Sequence, residues 1–264
     1  MGEPARQNRG VEHPTPRGPD REDNHRGLAY SLWLPDPGGR EDRRGHSTRP
    51  LPAPPWPGVV ICHGAGSRRQ NHADFARLAA ANGWAALSFD ARGHGDSDGE
   101  MSGEAVADVV TMAELLAAHG GVDSARVAVR GSSMGGFLAI HAAVSGEAIA
   151  GVIAICPASA DGLARGLRHR GWEMRVGDPV ALEAWLAGAD LRKAVARLAG
   201  RPLILLHAEG DDQVPVTLSE ELYELATEPR RLIVVPGGDH RSVQHDAELQ
   251  AVALRWMEDR LAAA

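Results

Sequence analysis

The regular part of the chain alternates short apolar runs with longer stretches in which apolar residues recur at helical spacing. The apolar runs, each of strand length, lie at 58–62, 84–89, 127–130, 148–156, 202–207 and 231–235. The helical patterns lie at 70–82, 103–118, 134–144, 216–226 and 243–262. Continuous apolar runs are typical of strands buried on both faces, and strands that alternate with helices form parallel sheets. We therefore predict an α/β fold with a doubly wound, mostly parallel sheet flanked by helices.

Three segments depart from this alternation. Residues 1–27 carry almost no large apolar side chains, so burial cannot offset the entropy of ordering them, and we predict a disordered tail. A period-two pattern at 28–34 predicts one early strand, and the Pro/Gly/Arg-rich stretch 36–57 predicts a long exposed loop. Residues 157–200 are too long for a simple strand-to-helix link and predict a small helical lid insertion. The domain prediction is a tail at 1–27 and one domain at 28–264.

Composition narrows the classes of protein. A chain of 264 residues with 43% hydrophobic residues can bury one large core. Its net charge of −7, without a basic stripe, gives no reason to expect nucleic acid as a partner. The apolar runs are too short to span a membrane, and the N-terminus lacks the apolar segment of a secretory signal, so we expect a cytoplasmic protein. Oligomeric state is not readable from the sequence.

Cofactor motifs are also missing from the sequence. Lys193 is the only lysine and lies away from any glycine loop, so there is no Walker-type phosphate loop. The histidines are scattered without an HExxH or a paired CxxC motif, so we expect no metal site. Cys62 and Cys156 lie in apolar strand-like runs and are expected to be small buried hydrophobic residues rather than a disulfide.

One strand-to-helix junction carries a candidate nucleophile. Ser133 follows the strand at 127–130, with Gly131 two positions before it and Gly135 two positions after it. At a sharp, strained turn those two positions must lack side chains, which would otherwise collide with the neighbouring strand and helix. Ser132 does not have this spacing. The alternative to a nucleophile is an ordinary helix-capping serine in a glycine-rich turn.

Candidate partners for this serine follow two later strands. A serine nucleophile requires a base, a group that orients the base, and donors for the oxyanion. In an open parallel sheet such groups meet at the carboxyl ends of the strands. The strand at 202–207 is followed by two adjacent carboxylates, Asp211 and Asp212, and the strand at 231–235 is followed by His240. For His240 the alternative is a histidine in a surface turn.

Five motifs in this order resemble the α/β-hydrolase superfamily: HGAG at 63–66, DARGHGDS at 90–97, GSSMGG at 131–136, GDDQVP at 210–215 and GGDH at 237–240. The resemblance covers about residues 28–262 and is greatest to small-lidded bacterial esterases of the feruloyl-esterase and dienelactone-hydrolase-like kind. It implies a serine esterase that cleaves carboxylic esters of small molecules through an acyl-enzyme intermediate, with no cofactor. The superfamily usually opens with two antiparallel strands, of which this sequence predicts only one.

The resemblance also implies the roles of individual residues. The catalytic triad would be Ser133, Asp211 and His240, with Asp211 favoured over Asp212 because the acid lies four residues before the proline of its block. The oxyanion hole would use the backbone N–H groups of Met134 and Ala65. Five further residues have subordinate expectations: Gly66 as a substitute for Ala65, His63 and His94 as loop-holding residues, and His207 and His245 as weaker alternatives to His240.

Trp172 and Trp185 in the predicted lid are candidates for contacting an aromatic substrate. The alternative is that they attach the lid to the core. At the level of function, the alternatives on the same triad are a serine peptidase or amidase and an acyltransferase. A catalytically silent binding protein on this fold is the alternative from a different class.

Overall fold

The computed structural model describes residues 16–38, 51–169 and 171–263. Within these ranges the strands are β1 Arg21–His25, β2 Leu28–Trp33, β3 Trp56–Cys62, β4 Ala85–Phe89, β5 Val122–Ser132, β6 Gly151–Ile155, β7 Leu203–Ala208 and β8 Arg230–Val235. The helices are α1 Ala73–Ala81, α2 Ala105–Ala117, α3 Met134–Ser145, α4 Ala160–Arg168, α5 Pro179–Gly188, α6 Leu191–Ala196, α7 Val216–Leu225, α8 Ser242–His245 and α9 Ala247–Leu261. A 3₁₀ turn at Arg69–His72 precedes α1.

The strands form one sheet in the order β1-β2-β4-β3-β5-β6-β7-β8. The β1–β2 and β2–β4 pairs are antiparallel, and the other pairs are parallel. Every residue of β3, β4, β6 and β7 is buried, which is why these strands appear in the sequence as continuous apolar runs. The predicted fold class, a mostly parallel sheet flanked by helices, is therefore confirmed.

Helices cover both faces of the sheet. On one face, α2 and α3 pack with their apolar residues into the larger core cluster, which includes Met112 and Phe137. On the other face, α1 and α9 contribute Phe75 and Met257 to a second cluster. Full burial of a side chain of this size stabilises the fold by about 1.5–3 kcal/mol. Both layers leave the carboxyl ends of the parallel strands at one common edge.

The N-terminal edge of the sheet corrects the sequence prediction. Arg21–His25 lie in the segment predicted to be a tail, yet they form β1 and pair with β2 from Arg21 opposite Leu32 to His25 opposite Leu28. This strand is polar and exposed, so it has no hydrophobic alternation by which it could be detected. The second antiparallel strand of the superfamily is thus present. Residues 1–15 and most of the predicted loop, 39–50, lie outside the described residues.

The stretch 157–200 contains three helices, α4, α5 and α6, each with a side-chain cap at its N-terminus. The capping oxygens belong to Ser159, Asp178 and Asp190. Pro179 stands in the first turn of α5, where the missing N–H costs nothing. The role of these helices as a lid stays a prediction. None of the helices in the described part of the chain combines the length and the hydropathy needed to span a bilayer.

Candidate active site

The junction between β5 and α3 is a strained turn centred on Ser133. Ser133 has φ 54° and ψ −118°, on the left-handed side that L residues rarely adopt. A Cβ on Gly131 would overlap the carbonyl of Gly135, and a Cβ on Gly135 would overlap the carbonyl of Cys62 at the end of β3. The N–H of Ser133 donates to the carbonyl of Ile155 at 2.9 Å. The two glycines are therefore required by the close approach of backbone to backbone.

The structure brings together the acid and the histidine that follow β7 and β8. Nδ1 of His240 lies 2.7 Å from Oδ2 of Asp211. The other oxygen, Oδ1, accepts the backbone N–H groups of Gln213 and Val214, each at 2.9 Å. Asp212 is exposed instead. With Nδ1 engaged by the carboxylate, only Nε2 of His240 is left to face another group.

Asp211 remains an ionised carboxylate. Burial alone would raise its pKa, but hydrogen bonds with His207, His240 and two backbone N–H groups hold the pKa of Asp211 well below its usual range. His207 is buried, with Nδ1 2.7 Å from Oγ of Ser219 and Nε2 2.9 Å from the carbonyl of Val214. Its Nε2 also lies 3.4 Å from Oδ2 of Asp211. His207 thus helps to hold the carboxylate of Asp211 in its ionised form.

Cys156 is a neighbour of the acid that the sequence analysis did not identify. It follows β6 with φ 42°, and its Sγ lies within 4.8 Å of a carboxylate oxygen of Asp211. Burial, with the Asp211 carboxylate beside it, raises the pKa of Cys156 to about 12, so the thiol stays protonated. Donor atoms of Cys156, Asp211 and His240 lie within 4.8 Å of one another, a spacing that could hold a metal ion. Within this group, Nδ1 of His240 and Oδ2 of Asp211 are hydrogen-bonded to each other. In the sequence, the available signal for a role of Cys156 was its position directly after a buried strand.

Ser133 and His240 line the same cavity, which has a volume of about 400 Å³. The loop after β3 forms one wall, and a Cβ on Gly64 would lie 3.4 Å from that of Ser133. Ala65 lines the cavity in this loop. The N–H of Gly66 already donates to Nε2 of His94 at 3.2 Å, so Gly66 is a poorer oxyanion donor than Ala65.

Met134 is the first residue of α3, directly after Ser133. The first N–H groups of a helix have no acceptor within the helix, and they favour negative charge. The backbone N–H of Met134 is therefore available beside the serine, while its side chain is buried. Together with Ala65, it gives the predicted oxyanion donors a physical basis, although the assignment stays a prediction.

His63 and His94 hold loops, as the resemblance implies. Nε2 of His63 accepts the N–H of Ala91 at 3.0 Å, and Nδ1 lies 2.8 Å from the carbonyl of Gly64. Burial, with His94 nearby, lowers the pKa of His63 to about 4. Burial likewise lowers the pKa of His94. Both rings are neutral, fixed in one tautomer and engaged at both nitrogens.

The structure gives the remaining candidates, Trp172, Trp185 and His245, different positions. Trp172 lines the cavity beside Ser133, whereas Trp185 does not and instead makes an edge-on contact with Phe137 of α3 at 5.8 Å. Trp185 thus has the position expected of a residue that attaches α5 to the core. His245 also lines the cavity, but its Nδ1 lies 2.8 Å from Asp74, so its carboxylate partner is a different one.

The fold and this edge of the sheet define the class of protein. An eight-stranded, mostly parallel sheet with a serine at a strained turn after β5 is the architecture of the α/β-hydrolases, and this chain has that fold. The family model described as serine aminopeptidase, S33, matches residues 53–175. That segment runs from β3 past α4 and contains the loop after β3 and the Ser133 turn. The resemblance stated from the motifs is confirmed.

The chain is also similar in sequence to a mycobacterial protein. The uncharacterized protein Rv2307c of Mycobacterium tuberculosis is 33% identical over 188 residues, which cover 70% of this chain and 63% of that protein. The chain therefore matches less than two thirds of that relative's length.

Two solved structures share the fold. Est1E of Butyrivibrio proteoclasticus, with ferulic acid bound, gives a TM-score of 0.70 at 18% identity over 92% of this chain and 99% of that chain. A soluble variant of monoglyceride lipase from Saccharomyces cerevisiae, in complex with a substrate analog, gives a TM-score of 0.69 at 16% identity. The match covers 93% of this chain and 96% of that chain. At these identities the likeness is one of fold.

Proposed function

We propose that the chain is a serine hydrolase that cleaves carboxylic esters of small molecules. The observation that carries the proposal is the 2.7 Å hydrogen bond between His240 and Asp211 beside a cavity that His240 shares with Ser133. An ionised, buried acid can fix the imidazole tautomer and stabilise its charged form. The serine hydrolase class is also supported by the family match and by the esterase and lipase folds.

The proposed reaction proceeds in two halves. Oγ of Ser133 attacks the ester carbonyl while Nε2 of His240 accepts the hydroxyl proton, and the N–H groups of Met134 and Ala65 bind the oxyanion. The bond to the alcohol then breaks, and His240 donates its proton to the leaving oxygen. Water attacks the acyl-enzyme with His240 as the base, which releases the acid and restores Ser133. Asp211 remains ionised throughout.

A serine peptidase is the second candidate, because the matching family model carries an aminopeptidase description. An aminopeptidase must bind the charged N-terminus of its substrate, and a carboxylate is the usual partner for such a cation. Neither Asp nor Glu occurs among the described residues that line the cavity. The charge of the cavity therefore favours an ester over a peptide with a free amino terminus.

The test is hydrolysis of p-nitrophenyl esters from acetate to decanoate, with aminoacyl p-nitroanilides as the competing substrates. We expect turnover of the esters that falls by at least about 10⁴-fold in Ser133→Ala. Ser132→Ala is the matched control, since Ser132 is buried beside the turn and its Oγ has no hydrogen-bond partner among the described residues. Equal turnover in wild type and Ser133→Ala would contradict the proposal. Faster turnover of the anilides than of the esters would favour the peptidase.

A further inference from the structure

A buried cation is hydrogen-bonded to two residues that line the candidate active-site cavity, His72 and Gln244. Arg130, in β5, is fully buried, and burial lowers its pKa to about 10, so it is still a cation at neutral pH. Its hydrogen-bond partners among the described residues are neutral: Nη1 lies 3.0 Å from Nδ1 of His72, and Nη2 donates to the carbonyl of Gln244 at 2.9 Å. Nε has no partner among the described residues. A buried charge is costly, so its interactions require an explanation.

Arg130 determines the protonation state of His72. A guanidinium only donates, so Nδ1 of His72 must accept, and the single proton of the neutral ring must be on Nε2. Burial, followed by the charge of Arg130, keeps the pKa of His72 well below its usual range. His72 is therefore a neutral imidazole in one tautomer, with a permanent N–H donor on the side away from Arg130.

The Nε2–H donor of His72 faces the cavity that Ser133 also lines. His72 lines the cavity although only 2% of the residue is exposed. Nε2 has no acceptor among the described residues. Unlike Nε of Arg130, it is also not fully enclosed by protein atoms. The ring stacks against His245 with centroids 5.9 Å apart and planes at 14°, and His245 is held in turn by Asp74. Its orientation is therefore fixed before a substrate binds.

The side of the cavity near His240 is polar. Its lining residues from the 3₁₀ turn, the loop after β7 and the α8 segment are Asn71, His72, Gln213, Arg241, Gln244 and His245. In the proposed reaction His240 protonates the leaving alcohol, so the alcohol part of the ester must lie on this side. The alcohol part therefore meets hydrogen-bonding groups.

We propose that His72 is a specificity-determining residue whose Nε2–H donates to an oxygen on the alcohol part of the substrate, and that Arg130 positions it. The inference rests on the proposed esterase function and names its substrate class, which is esters of small hydroxylated alcohols. An alcohol part made only of carbon and hydrogen leaves the donor unpaired when it displaces water, and that loss is the basis of discrimination.

The test compares 2-hydroxyethyl butanoate with propyl butanoate, which differ only by a hydroxyl in place of a methyl group. We expect the wild type to prefer the hydroxyethyl ester about 3- to 10-fold in kcat/KM, the factor that one hydrogen bond between neutral groups supplies. His72→Leu should lose this preference, mainly through a higher KM for the hydroxyethyl ester. His72→Gln should retain most of the preference, since an amide can accept from Arg130 and donate to the substrate.

The outcomes distinguish this inference from the function on which it rests. Absence of turnover of both esters in the wild type would overturn the proposed function and the inference with it. Turnover that depends on Ser133 but shows no preference, or a preference that survives in His72→Leu, would overturn the inference alone. Nitrogen chemical shifts of His72 give a second measurement that folding defects do not imitate. A proton on Nδ1 at neutral pH would contradict the role of Arg130.

Discussion

At the scale of single residues, the choice between two adjacent aspartates is made by the backbone around them. Asp211 and Asp212 have the same chemistry, and both follow β7. The N–H groups of Gln213 and Val214 hold one carboxylate oxygen of Asp211, which directs the other to His240. Asp212 is exposed. The position of a side chain in its turn therefore decides which carboxylate can orient a base.

We predict that Asp211→Asn retains the fold but loses kcat by about 10³- to 10⁴-fold. An amide presents no negative charge to the His240 imidazolium, and its N–H can hold the ring in the wrong tautomer. Asp212→Asn is the control and should remain within about twofold of the wild type. The measurement is kcat on p-nitrophenyl butyrate, with circular dichroism to confirm folding. Similar losses in the two variants would contradict the assignment of Asp211.

Sequence reasoning can propose those site residues whose chemistry is indicated by a short local motif. Ser133 and His240 each follow a strand in a glycine-rich block, which is visible in one dimension. Cys156 and His72 lie in no such motif. Cys156 matters because it lies beside the carboxylate of Asp211, and His72 because it lies beside the guanidinium of Arg130. Contacts between distant segments of the chain are not encoded in local spacing.

At the scale of elements, the junction between β5 and α3 depends on the end of β3. The turn can place Ser133 above the sheet only because α3 begins in contact with the carbonyls of Cys62 and His63. This contact also places the loop after β3 beside the serine, where Ala65 can approach the substrate carbonyl. One glycine, Gly135, therefore determines both the position of Ser133 and that of the proposed oxyanion donor.

We predict that Gly135→Ala lowers the unfolding free energy by about 1–3 kcal/mol, because the new methyl group overlaps the backbone of β3. It should also reduce kcat by about 10²-fold through displacement of Ser133. Gly188→Ala is the matched control, since a Cβ at the end of α5 meets nothing within 4 Å. Urea unfolding and p-nitrophenyl butyrate turnover measure the two effects. Equal stability of both variants would show that the junction tolerates a side chain.

The accuracy of the element predictions follows the strength of the hydrophobic pattern. The ends of buried strands such as β3 and β7 were predicted to within two residues, because most of each apolar run is buried. Trp56 and Pro57, predicted to lie in the exposed loop, form the start of β3 instead. β1 was missed because an exposed edge strand is held by backbone pairing and by the turn at Arg26 and Gly27, both with positive φ. Neither feature produces hydrophobic periodicity.

At the scale of the whole molecule, buried neutral histidines connect the stability of the fold to the integrity of the site. Burial lowers the pKa values of His63, His72, His94 and His141. Three of them, His63, His72 and His94, lie in the loops around the cavity and accept hydrogen bonds that a protonated ring could not accept. Their protonation would therefore break the contacts that form the cavity wall.

We predict that the unfolding free energy falls as pH decreases from about 6.5 to about 4. The folded pKa of His63 is lowered to about 4, whereas an unfolded histidine titrates near 6.5. Between these values the unfolded chain binds a proton that the native state excludes, so stability decreases with acid, by up to about 1.4 kcal/mol per pH unit for each such histidine. Urea unfolding at pH 7, 6 and 5 measures this slope.

The contribution of His63 to this dependence of the unfolding free energy on pH can be measured separately. In His63→Gln an amide replaces the titrating group, so the decrease in stability between pH 6.5 and 5 should become smaller, whatever the stability at pH 7. His169→Gln, at an exposed position, is the control and should leave the slope unchanged. A slope that is the same in all three proteins would mean that His63 is not neutral in the folded state. The loop between β3 and the 3₁₀ turn would then require a different explanation for its conformation, since a protonated Nε2 cannot accept the N–H of Ala91.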